Sequence, residues 1–327
     1  MTLLSTIDIR EDIFETITSK FGFNILDFSP IDLGYLNLKW KIKTEKGHFF
    51  VKQYNKTRYP EQMIQGLETS LSHQSKLHSK GIPCPELYAY KEKYVIQSSS
   101  GEHFVLMELC EGRNIRPGTA NEEQVYSLGK IIGQMHKMLN SKNTVQLPLH
   151  WDVRSKKSMM KNWHERWKEA SSINCTNTLS NLEVQRKILE SNDIDIFSQC
   201  EKGWGHWDLF VDNILFETNR VSAILDFDRM NFIYPEFDIS RPILSCCLEN
   251  EQIHMEKVSA FMQGYREYQK LSNQKLVRSI KLTWWKEAGW VRPAKVQHSS
   301  TIKRFNEENI WVGENWEDLE GIFSNIP

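Results

Sequence analysis

The sequence predicts an α+β fold in two parts: a small antiparallel sheet with one helix over residues 1–109, and a larger, mostly helical part over residues 110–327. Three observations carry this prediction. Short runs of alternating apolar and polar residues crowd the stretch between residues 31 and 109, helical periodicity takes over beyond residue 120, and one further pair of short strand-like runs returns at 214–225. With 327 residues, 40% hydrophobic and 25% charged, the chain has room for one large or two medium domains with a sizeable core.

The first strands come from Leu36–Lys43 and His48–Tyr54, joined by Thr44-Glu45-Lys46-Gly47. Apolar and polar residues alternate in the first run, as a half-exposed hairpin with a glycine-containing turn requires. Met63, Leu67, Leu71 and Leu77 then recur on a 3.6-residue period, predicting a helix over 61–80 that Gly81-Ile82-Pro83 ends. A second hairpin follows, Tyr94–Gln97 and His103–Leu109 around Ser98-Ser99-Ser100-Gly101, and the sheet it joins is expected to have five strands. The sheet runs out at Cys110-Glu111-Gly112. Beyond it, Val125, Leu128, Ile131, Ile132, Met135 and Leu139 form the buried face of a helix over Glu122–Leu139. His136 near its end reads as a satisfied histidine. Residues 140–200 are polar, with Trp151, Trp163 and Trp167 among lysines and glutamates, and are expected to vary with substrate.

The chemistry concentrates in Gly205-His206-Trp207-Asp208-Leu209-Phe210-Val211-Asp212-Asn213, with Asp226-Phe227-Asp228 thirteen residues beyond the asparagine. Between them, Ile214-Leu215-Phe216 and Val221–Leu225 flank Glu217-Thr218-Asn219-Arg220 and read as a hairpin that returns Asp226 toward Asn213. An aspartate, an asparagine five residues on, and a second aspartate on the next strand make a set that phosphoryl transfer uses. Asp208 takes the hydroxyl proton, while Asn213 and Asp226 supply hard oxygen ligands suited to magnesium against the ATP phosphates. His206 is placed as a brace of the loop. Taken singly, each of these residues is an ordinary turn former bonded to its own backbone. The ordered set is what argues against coincidence.

Upstream residues complete the expectation. Lys52 follows Val51 on a strand, where a lysine would contact the ATP phosphates, and a surface strand lysine is the competing reading. A glutamate on the following helix would hold it, with Glu68 as the candidate and Glu61 as the competitor. The run 106–110, through Leu106, Glu108 and Cys110, is placed as the edge that recognises adenine, although a plain domain linker reads equally well.

Composition excludes several alternatives. A net charge of −1 gives no electrostatic case for nucleic acid, and Lys41, Lys43 and Lys46 read as solvated. The six cysteines show no CxxC spacing, which fits a reducing compartment. The N-terminus lacks a basic region followed by an apolar run, and no stretch approaches the ~18 apolar residues of a spanning helix. No membrane partner is expected. A cytoplasmic monomer or homodimer is.

These residues resemble the aminoglycoside phosphotransferase and choline kinase superfamily over most of the chain. The most specific matches are His206–Phe216 and Ala223–Asp228, and Gly81-Ile82-Pro83-Cys84-Pro85, Leu106-Met107-Glu108 and Leu128–His136 are also similar. The resemblance implies a bilobal protein-kinase-like fold binding ATP, with Asp208 catalytic, Asn213 and Asp226 holding Mg2+, and Lys52 on the phosphates. It also implies that Asp238, in Pro235-Glu236-Phe237-Asp238, supports the catalytic loop. Protein substrates are unlike this pattern: Trp207 and Asp228 stand where protein kinases carry arginine and glycine, and no Ala-Pro-Glu follows. The loop Asp32–Asn37, expected to cover the phosphates, has a single glycine. Asp228 faces either the metal or a cationic substrate, or is a solvated turn residue.

The expected reaction is therefore transfer of the γ-phosphate of ATP to a hydroxyl of an aminoglycoside-like, amino-alcohol, amino-acid or sugar acceptor. The wording of the Asp208–Asn213 loop is reminiscent of the homoserine kinase branch. Asp228, Glu236, Trp284, Trp285 and Trp290 could serve a cationic or sugar-bearing acceptor, with helix packing the stronger reading for the tryptophans. A kinase-like protein without turnover is the alternative, and a metal hydrolase built on His206, Asp208 and Asp226 is a third reading.

Overall fold

The structure is a computed structural model describing residues 5–31, 37–141, 145–293 and 300–327. Residues 32–36, most of the expected phosphate-covering loop, lie outside the described residues. The chain divides into two compact units, residues 1–112 with 222–229, and residues 113–221 with 230–327.

The first unit is a five-stranded antiparallel sheet between two helices. Helix α1 (Thr6–Phe21) was not anticipated, yet its start is written locally: Ser5 and Asp8 form a reciprocal capping box, and Gly22 at φ +66° ends it. Strands β1 (Ile25–Pro30), β2 (Lys39–Thr44), β3 (Gly47–Tyr54), β4 (Ile96–Gln97) and β5 (His103–Glu108) lie in the order β1-β2-β3-β5-β4. Helix α2 spans Glu61–His78.

Alternation along the strands decides which helix each side chain meets. Trp40, Ile42, Phe49, Val51, Phe104 and Leu106 pack with Ile13 and Ile17 of α1. Tyr54 and Val105 pack on the other face with Leu67 and Leu71 of α2. Lys52 is two residues from Tyr54 and so shares the α2 face, while register sets it opposite Lys39 on β2 and Val105 on β5.

The second unit is mainly helical. Helix α3 (Glu122–Leu139) has the bounds the periodicity predicted, and Asn121 and Gln124 close a capping box at its start. The polar stretch after residue 140 folds into α4 (Lys156–Ser172) and α5 (Thr176–Ser191), fastened by Trp163 Nε1 donating to Leu182 O at 2.7 Å. Strand β6 (Gly203–Gly205) leads into the motif loop and β7 (Ile214–Phe216) follows it, while β8 (Val221–Ile224) runs into the segment 222–229 that belongs to the first unit. The β7–β8 turn closes through Glu217 N donating to Arg220 O at 2.9 Å. β9 (Asn231–Ile233) pairs antiparallel with β6, and α6 (Phe237–Cys247), α7 (Met255–Arg266), α8 (Asn273–Glu287), α9 (Ser300–Glu314) and α10 (Leu319–Ile322) complete the unit.

Helices α3 and α7 meet through glycines. Gly129 faces the Phe261 carbonyl and Gly264 the Tyr126 carbonyl, leaving no room for a β-carbon at either. This approach brings His136 of α3 beside Tyr265 of α7.

Candidate functional site

In the second unit, the motif loop is held from below by a buried carboxylate. Asp238, at the start of α6, accepts from His206 N at 2.6 Å and from Trp207 N at 2.8 Å. An ionised carboxylate only accepts, so His136 must offer it the Nε2 proton across 3.1 Å, while Nδ1 meets the Tyr265 hydroxyl at 2.9 Å. Burial works against the Asp238 charge, but His136 and the loop donors outweigh it and hold the carboxyl below its usual range. His206 is fully buried, and its Nδ1 accepts from Asp208 N at 3.3 Å.

Trp207 takes a left-handed φ of +65°, a conformation unusual for a bulky side chain and found where surroundings over-determine the backbone. Those surroundings are visible. The Trp207 ring meets His150 edge-on at 4.8 Å and carries Lys286 Nζ 5.0 Å above its face. On the preceding strand, Asn140 pairs both ways with Trp204, donating to its carbonyl at 2.8 Å and accepting from its amide at 2.6 Å. The loop then turns through Asn213, whose side-chain amide donates to Asp208 O at 2.8 Å. Asp208 itself is partly exposed.

The first unit carries the other group of expected residues. Asp226 also has a left-handed φ, +60°, and a short 3-10 turn, Phe227–Arg229, follows it. Lys52 Nζ reaches Asp226 Oδ1 at 2.8 Å and Asp228 Oδ2 at 2.6 Å. Burial disfavours the Lys52 charge, yet the two carboxylates outweigh it and raise its pKa well above that of an ordinary lysine. Asp228 also accepts from the Tyr54 hydroxyl at 3.0 Å and the Tyr59 hydroxyl at 3.2 Å. Its burial and then Asp228 push the Tyr59 phenol up to about 12. The Asp228 side chain is 4% exposed and that of Asp226 33%.

Two expectations are corrected here. Glu68 does not hold Lys52: its two oxygens accept from Tyr94 N and Val95 N, both at 2.9 Å, so it fastens the chain entering β4 to α2. The competitor Glu61 is exposed and lies 3.8 Å from His103 Nε2. Asp228, in turn, is no solvated turn residue: its side chain is 4% exposed, and the cation it meets in the structure is Lys52.

The 106–110 run is partly engaged. Leu106 is fully buried and its carbonyl accepts from Tyr88 N at 3.0 Å, while Glu108 N donates to Glu86 O at 2.9 Å. Cys110 lies past the end of β5, and its half-buried thiol is pushed up to about 12 by burial and Glu108. Among the tryptophans, Trp284 and Trp285 are 1% exposed and belong to the core, whereas Trp290 is 45% exposed. Glu236 is also buried, paired with Arg278 at 2.6 Å.

Among the described residues, no group of three or more His, Cys, Asp or Glu side chains could hold a metal ion. Tyr54 and Tyr59 were not anticipated. Tyr54 stands two residues from Lys52, the spacing that puts neighbours on one strand face.

Residues 27–271 match the model of the phosphotransferase enzyme family. A homoserine kinase of Zymomonas mobilis is 24% identical over 249 residues, spanning 74% of this chain and 72% of the relative. Among solved structures, an amicoumacin kinase in complex with AMP-PNP and Ca2+ superposes at a TM-score of 0.56 with 17% identity, covering 95% of this chain and 96% of its own. A choline kinase of Cryptosporidium parvum does so at 0.55 with 14% identity, covering 97% and 99%. The likeness to these two solved structures is one of fold.

Proposed function

Because this chain belongs to the phosphotransferase enzyme family, acting on a hydroxyl acceptor, we propose that it transfers the γ-phosphate of ATP to a small amino-acid, amino-alcohol, aminoglycoside-like or sugar substrate. The observation that carries the reading is Lys52 Nζ at 2.8 Å from Asp226. Residues 174 positions apart are brought together as a buried cation and a partly exposed carboxylate, the pair that grips phosphates and their metal.

Asp208 is the proposed base. It orients the acceptor hydroxyl and takes its proton as that oxygen bonds to the γ-phosphorus and the bond to the β–γ bridging oxygen breaks, releasing ADP. His206 and Asp238 fix the backbone on either side of Trp207, so the Asp208 carboxylate is presented from a preorganised loop. Asn213 commits its amide nitrogen to Asp208 O, which turns its carbonyl oxygen away from that contact. With Asp226 it offers two hard oxygen donors, a set suited to Mg2+ that keeps waters and phosphate oxygens as its remaining ligands. Such an ion supplies neutralisation of phosphate charge. Lys52 contacts the phosphates, and the main chain at Cys110 meets the adenine. The amicoumacin kinase complex with AMP-PNP and Ca2+ supports a nucleotide and a divalent cation for a fold of this kind.

Homoserine is the first acceptor to test, from the relatives matched along the chain. ADP release from Mg-ATP is measured across homoserine, amino alcohols and aminoglycosides, in the wild type and Asp208→Ala. Acceptor-dependent release that falls by about 10²–10⁴-fold in the variant is the expected result. Absence of release with every acceptor, unchanged by the substitution, would refute the reading.

A further inference from the structure

We propose that Asp228 is the positioning residue that seats Lys52 for phosphate contact, and that Tyr54 and Tyr59 in turn fix Asp228. The purpose of the seat rests on the phosphotransferase reading above. The seat itself rests on geometry.

A lysine that must grip phosphates needs a carboxylate to aim it, and of the α2 glutamates Glu68 is committed to Tyr94 N and Val95 N while Glu61 is exposed beside His103. The two carboxylates that do reach Lys52 differ in kind. Asp226 is 33% exposed and is the one proposed to take the metal. A lysine aimed only by a metal ligand would lose its anchor whenever that ligand turned to the ion. Asp228 removes the conflict. Its side chain is 4% exposed, and its oxygens take three donors: Lys52 at 2.6 Å and Tyr59 at 3.2 Å on Oδ2, and Tyr54 at 3.0 Å on Oδ1. A carboxylate so engaged is a poor metal ligand and a firm anchor.

The sequence arrangement is consistent with this division of labour. Lys52 and Tyr54 stand on one face of β3, Tyr59 follows in the turn before α2, and Asp226 and Asp228 flank buried Phe227. Two carboxylates two residues apart can therefore serve one lysine and one metal without competing.

The test uses the full chain with two measurements. First, thermal melts without nucleotide compare Lys52→Met, Asp228→Asn and the double variant, with Lys52→Met/Glu68→Gln as the control cycle. The double 52/228 variant is expected to melt no lower than the worse single variant, whereas the 52/68 shifts add. Second, in steady-state turnover, Asp228→Asn is expected to raise KM for Mg-ATP by about tenfold, with Asp228→Glu recovering part of the loss. Tyr54→Phe/Tyr59→Phe, which keeps the carboxylate and loosens its seat, moves KM the same way by less and serves if Asp228→Asn fails to fold. Additive melts for 52/228 would overturn the pairing. Non-additive melts with an unchanged KM in an active enzyme would overturn the positioning role. A wild type that neither turns over nor binds Mg-ATP would overturn the phosphotransfer reading and the role with it, and the melts would still decide the pairing.

Discussion

Gly205 and Asp238 approach more closely than a side chain would permit: a β-carbon built on the glycine would lie 2.8 Å from Asp238 Oδ2 and 2.9 Å from Ile233 Cδ1. The glycine is therefore what allows the carboxylate to reach under the loop to His206 N and Trp207 N. Gly205→Ala is expected to force those hydrogen bonds apart and to cost about 1–3 kcal/mol, the range for overpacking a filled site. Urea unfolding measures the loss. Acceptor-dependent ADP release should fall further than stability alone accounts for, because the displaced backbone is the one that carries Asp208.

Acid should act through the same carboxylate. Asp238 is held below its usual range, so the stability it contributes is complete above the unfolded aspartate value of roughly 3.9 and is lost as pH falls through its depressed folded value. At neutral pH Asp238→Asn should be the less stable protein. As pH falls from about 4 through the depressed folded value the two unfolding curves should converge, since protonation removes from the wild type what the substitution removes from the variant. Parallel curves down to the acid transition would count against the assignment.

Glu68 is expected to matter for folding and not for Lys52. Glu68→Ala leaves the amides of Tyr94 and Val95 without their acceptor, and a buried donor left unpaired costs about 1–3 kcal/mol. Hydrogen exchange should accelerate at residues 94 and 95, with the remainder of α2 protected as before.

That residue also marks where sequence reasoning stops. Helix α3 could be read to its termini because both signals are local: the apolar period and the Asn121–Gln124 capping box. Strand β3 could be read from alternation, which places Lys52 and Tyr54 on one face. Helix α1 had an equally local signal in Ser5 and Asp8, before an amphipathic run that buries Ile13, Thr16 and Ile17. The choice of partner for Lys52 had none. Periodicity shows that Glu68 lies near the buried side of α2, but whether it meets a lysine or two main-chain amides depends on the path of residues 94–95. Likewise Asp228, 176 residues beyond Lys52, looks like a turn residue until the fold buries it. The support of the motif loop by Asp238 came from a family pattern, while the contribution of Tyr265 through His136 needed the α3–α7 packing.

The buried ion cluster behind the site gives the largest stability effect. Arg241 of α6, 5% exposed, pairs with Glu287 of α8 and Glu308 of α9, and Arg304 adds a second contact to Glu308 at 2.9 Å. The Arg241 guanidinium also lies 4.9 Å over the Phe305 ring, and Phe305 packs against Phe210 of the motif loop at 4.8 Å. Arg241→Met fills the space but takes the guanidinium from Glu287 and leaves Glu308 with Arg304 alone, and removing one member of such a buried set costs about 3–5 kcal/mol. The deficit should depend on pH. Burial already raises the Glu308 pKa, and without Arg241 it rises further, so protonation on acidification relieves the stranded charge. Thermal melts of wild type and Arg241→Met at pH 8 and pH 5 should therefore show the gap narrowing at the lower value, and a gap that stays the same at both would mean the arginine acts through packing on Phe305 alone.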